Sequence, residues 1–72
     1  MKYRTVTIAS NRVEAELLRG YLEGEGIRVL LKPSTRPYGG EAYFGDAGPV
    51  EVQVPEESFV KARGVLAGLE KA

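Results

Sequence analysis

Residues 5–31, TVTIASNRVEAELLRGYLEGEGIRVLL, decide the fold of this chain. They switch period twice, from two to 3.6 and back. Residues 3–9, YRTVTIA, read as a strand, with Arg4, Val6 and Ile8 on one face and Tyr3, Thr5 and Thr7 on the other. Ser10 and Asn11 then supply a helix N-cap, and Asn11 followed by Glu14 forms a capping box whose carboxylate reaches back to the cap amide. The helix is expected over about residues 12–25. Val13, Leu17, Leu18, Tyr21 and Leu22 make its apolar stripe, and Arg12, Glu16, Arg19 and Glu23 its outer face. The pairs Arg12–Glu16 and Arg19–Glu23 are four residues apart, a spacing that adds a few tenths of a kcal/mol at most. Gly26 suits the left-handed residue after a helix, and Ile27 folds back on Leu22 as in a Schellman ending. Residues 27–32, IRVLLK, then alternate as a second strand, with Ile27, Val29 and Leu31 opposite Arg28, Leu30 and Lys32, and Pro33 stopping it.

Past a long interval, Val50, Val52 and Val54 alternate with Glu51 and Gln53 as a half-buried third strand. Pro55 opens a second helix, where its missing amide hydrogen costs nothing. Glu56 and Glu57 suit the positive end of the helix dipole and Lys71 the negative end. Phe59, Ala62, Leu66 and Leu69 form the buried stripe. Gly64 and Gly68 weaken the helix by up to about 1 kcal/mol each relative to Ala, and mark either close packing on the sheet or a frayed end. The order is βαββα. A right-handed crossover in the first unit leaves room for the third strand between the first two. The expected fold is therefore α+β and ferredoxin-like: a three-stranded antiparallel sheet with two helices on one face, one domain over residues 1–72. The open face is expected to carry Thr5, Thr7, Arg28, Leu30, Lys32, Glu51 and Gln53.

Composition excludes several functions. A core of 72 residues rarely supplies more than about 3–5 kcal/mol without a staple. The chain has neither Cys nor His, so disulfides and Cys/His zinc sites are absent, and no nucleophile–base pair of the Cys–His or Ser–His kind exists. Glu56 and Glu57 are adjacent, about 100° apart on a helix, and suit the dipole better than acid–base work. Glu41 and Asp46 are near each other in sequence, but nothing beside them raises either pKa. No enzyme is expected, and no cofactor or metal. The 43% hydrophobic and 28% charged content is that of a globular rather than a disordered chain. A net charge of zero argues against nucleic-acid binding, as do Glu51 and Gln53 where an RNA-binding sheet would carry aromatics. MKYRTVTIAS has no signal-peptide pattern and no apolar run approaches membrane length, so a cytoplasmic protein without a membrane partner is expected.

The interval itself, residues 33–49, PSTRPYGGEAYFGDAGP, has no regular period. It holds Gly39, Gly40, Gly45 and Gly48, the prolines Pro33, Pro37 and Pro49, and the rings Tyr38, Tyr43 and Phe44. Loops of this length inside compact domains are commonly functional. The glycines do not make a phosphate cradle, because no Gly-Lys-Ser/Thr follows and no helix starts there.

The whole pattern, TVTIASNRVEAELLRGYLEGEGIRVLL, a Gly-rich loop, then VEVQVPEESFVKARGVL, resembles a small bacterial family described as putative prokaryotic signal-transducing proteins, a domain of unknown function. The positions that carry the resemblance are Ala15, Glu16 and Leu17, Gly26 and Ile27, Val50, Val52 and Val54, and Ala62. That family is grouped by fold with the PII nitrogen regulators, whose ferredoxin-like domain is βαββαβ. The resemblance implies a PII-like fold in which residues 33–49 take the place of the regulators' long partner-contacting loop, with Tyr38 and Tyr43 in the stretch where a regulator can be modified on Tyr. The sequence stops after its second helix, without the fourth strand and later basic segment that help those regulators hold ATP, so nucleotide binding is not expected.

The expected function is a non-catalytic signal-transducing or regulatory binding module. Arg36, Tyr38, Glu41, Tyr43 and Phe44 are its candidate contact residues for a protein partner or ligand. Against that stand two structural readings of the loop. Tyr43 and Phe44 pack over the open sheet face beside Leu30, or residues 42–44 form a short strand turned back into 50–54. A homodimer is also expected, because the first strand is an exposed edge and a small core gains from added burial, although Lys2 and Arg4 blunt that edge. The alternative function is a structural or oligomerisation domain with no ligand.

Overall fold

The computed structural model describes residues 2–34 and 48–71. Strand β1 (Tyr3–Ala9) leads into helix α1 (Arg12–Gly24), then strands β2 (Leu30–Pro33) and β3 (Val50–Pro55), a 3₁₀ turn at Glu56–Ser58, and helix α2 (Phe59–Lys71). The sheet order is β1-β3-β2, with β3 antiparallel to both neighbours. This is the expected α+β arrangement, consistent with a ferredoxin-like fold.

Local chemistry sets the element ends. The Asn11 side chain accepts from the Glu14 amide at 2.8 Å, while the Glu14 carboxylate accepts from the Ser10 amide at 2.6 Å. The capping box therefore closes one residue earlier than expected, on Ser10 rather than on Asn11. At the other end Gly26 has φ +81°, its amide donates to the Glu23 carbonyl at 2.9 Å, and the Ile27 amide donates to the Leu22 carbonyl at 3.1 Å. These are the two bonds of a Schellman ending, and Leu22 and Ile27 are both buried beneath it. The same motif delays β2. Ile27 is bent back onto α1, so the strand begins at Leu30 rather than at residue 27. Pro33 does not stop the strand but ends it, paired with Val50 on a sheet edge where a missing amide hydrogen is tolerated. Pro55 likewise closes β3, paired with Tyr3, and α2 follows only after the 3₁₀ turn.

The core is one cluster on one side of the sheet: Val50, Val52 and Val54 of β3 with Ala9, Ala15, Leu22, Ile27 and Ala62. Three of these eight are alanines, which let both helices sit close to the sheet. Phe59 and Leu66 of α2 pack against the cluster as expected. Gly64 and Gly68 are exposed, with nothing near the place a Cβ would take, so they do not mark close packing on the sheet.

Two faces differ from the sequence reading. In β1, Thr5 pairs with Gln53 but Thr7 pairs with Val52, so Val6 is an extra residue in the ladder, a β-bulge. One inserted residue exchanges the faces of everything after it. Thr7 thus joins the helix-bearing row, opposite Val52, and Ile8, opposite Glu51, moves to the open row. In α1 the inward residues are Ala15, Leu18 and Leu22. Val13, Leu17 and Tyr21, expected in the buried stripe, are 79%, 58% and 46% exposed. The inward face lies about 90° round the helix from the expected one. Its position follows from the Schellman ending: Leu22 must meet Ile27, and Leu18 and Ala15 share its side at spacings of four and seven.

Candidate functional site

The antiparallel pairing of β2 and β3 continues past the strands, where the Ser34 amide donates to the Pro49 carbonyl at 3.0 Å. This bond ties together the two ends of the 33–49 loop. Beside it lies a cleft of about 260 Å³, lined by Arg12 and Arg19 of α1, residues 29–33, Pro49 and Val50. Arg12 and Arg19 stand on it from α1, and Lys32 borders it from β2, in the row that carries Glu51. Glu16 organises the two arginines, accepting from Arg12 Nε at 3.2 Å and from an Arg19 guanidinium nitrogen at 2.7 Å. Arg19 turns back to Glu16 rather than on to Glu23. One carboxylate thus holds both guanidinium groups beside the cleft. The walls include Val29, Leu31 and Pro33 beside the two guanidinium groups.

The open face of the sheet is different in kind. Thr5 donates to Glu51, and the Gln53 amide donates to both Thr5 and Glu51, each at 3.1 Å. These three side chains satisfy one another. Leu30 and Ile8 flank them at 44% and 55% exposure, and Lys32 pairs across from Glu51. No aromatic stands on β3. At the far end of β1 the Arg4 guanidinium lies 3.8 Å from the centre of the Phe59 ring, with Arg63 5.8 Å away on the same ring. That cluster fastens α2 to β1.

The contact residues expected from the sequence, Arg36, Tyr38, Glu41, Tyr43 and Phe44, lie outside the described residues. So do both structural readings of that segment, Tyr43 and Phe44 over the sheet and a strand at 42–44. What the structure adds is the ground they stand on. Arg12 and Arg19 share one face of α1, as their spacing of seven implies, but nothing in the sequence announces that this face borders β2. The second addition is the outward row of α1, Val13, Leu17 and Tyr21. A sequence signal for it existed: anchoring the helix phase on Leu22 through the Gly26-Ile27 ending puts Ala15 inside and Val13 outside.

Among the described residues no helix is long and apolar enough to cross a membrane, and no group of three or more acidic, His or Cys side chains is placed to hold a metal.

A small α+β domain, two helices on a three-stranded antiparallel sheet with a cleft between α1 and β2, is thus the class the geometry defines. The family described as putative prokaryotic signal transducing protein matches residues 3–70, nearly the whole chain, and the chain belongs to that family. No curated protein and no solved structure matches it.

Proposed function

We propose that this chain is a non-catalytic, PII-like regulatory binding module of the bacterial cytoplasm, which contacts a protein partner through residues 33–49 and the cleft at their root. The observation that carries the reading is the cleft that α1 and β2 form around Arg12 and Arg19, next to the bond between Ser34 and Pro49. Guanidinium groups beside Val29, Leu31 and Pro33 suit a partner segment that brings carboxylates and a short apolar side chain. The family's description supports a role in signal transduction. The non-catalytic part rests on chemistry: with neither His nor Cys in the chain, the usual bases and nucleophiles near neutral pH are missing.

The test is affinity capture from extract of the source cell. The intact chain is compared with a chain shortened between Ser34 and Gly48, with Tyr38→Ala/Tyr43→Ala, and with Lys32→Glu. A partner held by the intact chain and lost by all three variants supports the reading. A partner held equally by the shortened chain contradicts it, and leaves the domain as an assembly element without a loop ligand.

A further inference from the structure

The outward face of α1 is apolar, with Val13 79% and Leu17 58% exposed. Val13, Leu17, Gly20 and Gly24 follow one another at spacings of four, three and four, the alternation of a two-helix seam. All four are exposed, and nothing lies within 4 Å of the Cβ position at either glycine. Tyr21 borders the seam at 46% exposure. We propose that this face pairs with the same face of a second copy of the chain, the two α1 helices running antiparallel about a two-fold axis.

Shape argues for a copy and for that orientation. The N-terminal half of the seam is bulky, Val13 and Leu17, and the C-terminal half is bare, Gly20 and Gly24. An antiparallel copy lays bulk on gap: Leu17 over Gly20 of the second copy, and Val13 over its Gly24. A parallel copy would set Leu17 against Leu17 and leave glycine facing glycine.

Charge argues independently for the same arrangement. Along one flank of the seam run Arg12, Glu16, Arg19 and Glu23, alternating in sign. In a two-fold antiparallel pair each flank meets its own counterpart, run in reverse. Arg12 then meets Glu23 of the second copy, and Glu16 meets its Arg19. The axis demanded by the charges and the axis demanded by the seam both fall between Leu17 and Arg19. A parallel pair would bring this flank to the opposite one, which carries Glu14. The exposed ion pairs set orientation and partner more than strength.

The β1 edge is a poorer place for a second copy, because the bulge at Val6 interrupts its ladder. Size sets the strength. A helix of 13 residues is about 20 Å long, which covers less than the roughly 800 Å² per partner of a standard interface. The association is therefore reversible and concentration-dependent; its seam residues lie outside the cleft, while Arg12, Glu16 and Arg19 of its flank belong to both.

Sedimentation velocity over a range from low micromolar to near-millimolar concentration tests the proposal. The unaltered chain is expected to pass from monomer to dimer. Leu17→Glu places a charge in the seam of both copies and weakens the dimer by at least about tenfold, with circular dichroism unchanged because Leu17 is already exposed. Arg19→Glu and Glu16→Arg each set like charges across the axis and weaken it. An equimolar mixture of these two variants restores both cross-pairs and is expected to form a mixed dimer. Glu16→Arg/Arg19→Glu in one chain restores self-pairing at the original net charge. Arg63→Glu, the same charge change on α2, leaves the dimer intact. A chain that stays monomeric throughout overturns the proposal. So does a dimer indifferent to Leu17→Glu, or one that Arg63→Glu weakens as much as Arg19→Glu does.

Discussion

Leu22 and Leu17 are the same residue type five positions apart on α1, yet one is fully buried and the other 58% exposed. Their surroundings explain the difference. Leu22 sits over the sheet, with its carbonyl and side chain both engaged by Ile27 in the helix ending. Leu17 stands on the far side, between a flank of alternating charges and two glycines. An amphipathic helix ordinarily sets polar residues opposite its core-facing stripe. Here the face opposite the core is apolar and the charges are displaced to the side. The inner face is held by the fold, while the outer face is available for contact.

The strongest challenge to that contrast is Leu22→Ala. Loss of a buried leucine costs about 2–5 kcal/mol, read by urea denaturation at a concentration where the chain is monomeric. Gly26→Val comes next. A β-branched residue at φ +81° is expected to cost about 1–2 kcal/mol, and it also loosens the Leu22–Ile27 contact that fixes the helix phase. Asn11→Ala removes the cap bond to the Glu14 amide and is expected to cost about 1 kcal/mol. Gly20→Ala sharpens the comparison because its two effects differ in sign. The monomer gains up to about 1 kcal/mol from helix propensity, while a methyl group in the gap that Leu17 would fill weakens association. The smallest effect belongs to Leu17→Ala, within about 0.5 kcal/mol for the monomer, as expected of an exposed position.

Much of this architecture was legible in the sequence, because it depends on local signals. The cap at Asn11, the ending at Gly26-Ile27 and the alternation of Val50, Val52 and Val54 each identify an element within a few residues. The central place of β3 follows from connection handedness. What escaped was rotation and register. Val13, Leu17 and Tyr21 recur at helical spacing and are bulkier than Ala15, so spacing alone points to them. Yet Ala15 is buried because a small residue lets α1 approach the sheet. The bulge at Val6 left no mark in YRTVTIA, since Thr and Val serve equally on either face of an edge strand, and one extra residue moved Thr7 and Ile8 to opposite sides. The cleft was hidden for another reason. Its lining is contributed by α1 and β2, and only the fold brings these together beside the bond between Ser34 and Pro49.

The most direct test of the two-faced helix is a dilution series followed by two-dimensional amide NMR of the intact chain. The account predicts that resonances of Val13, Leu17, Gly20, Tyr21 and Gly24 shift progressively as concentration rises, with those of β1 and β3 unchanged. Shifts concentrated on Tyr3–Ala9, or spectra identical at every concentration, would contradict it.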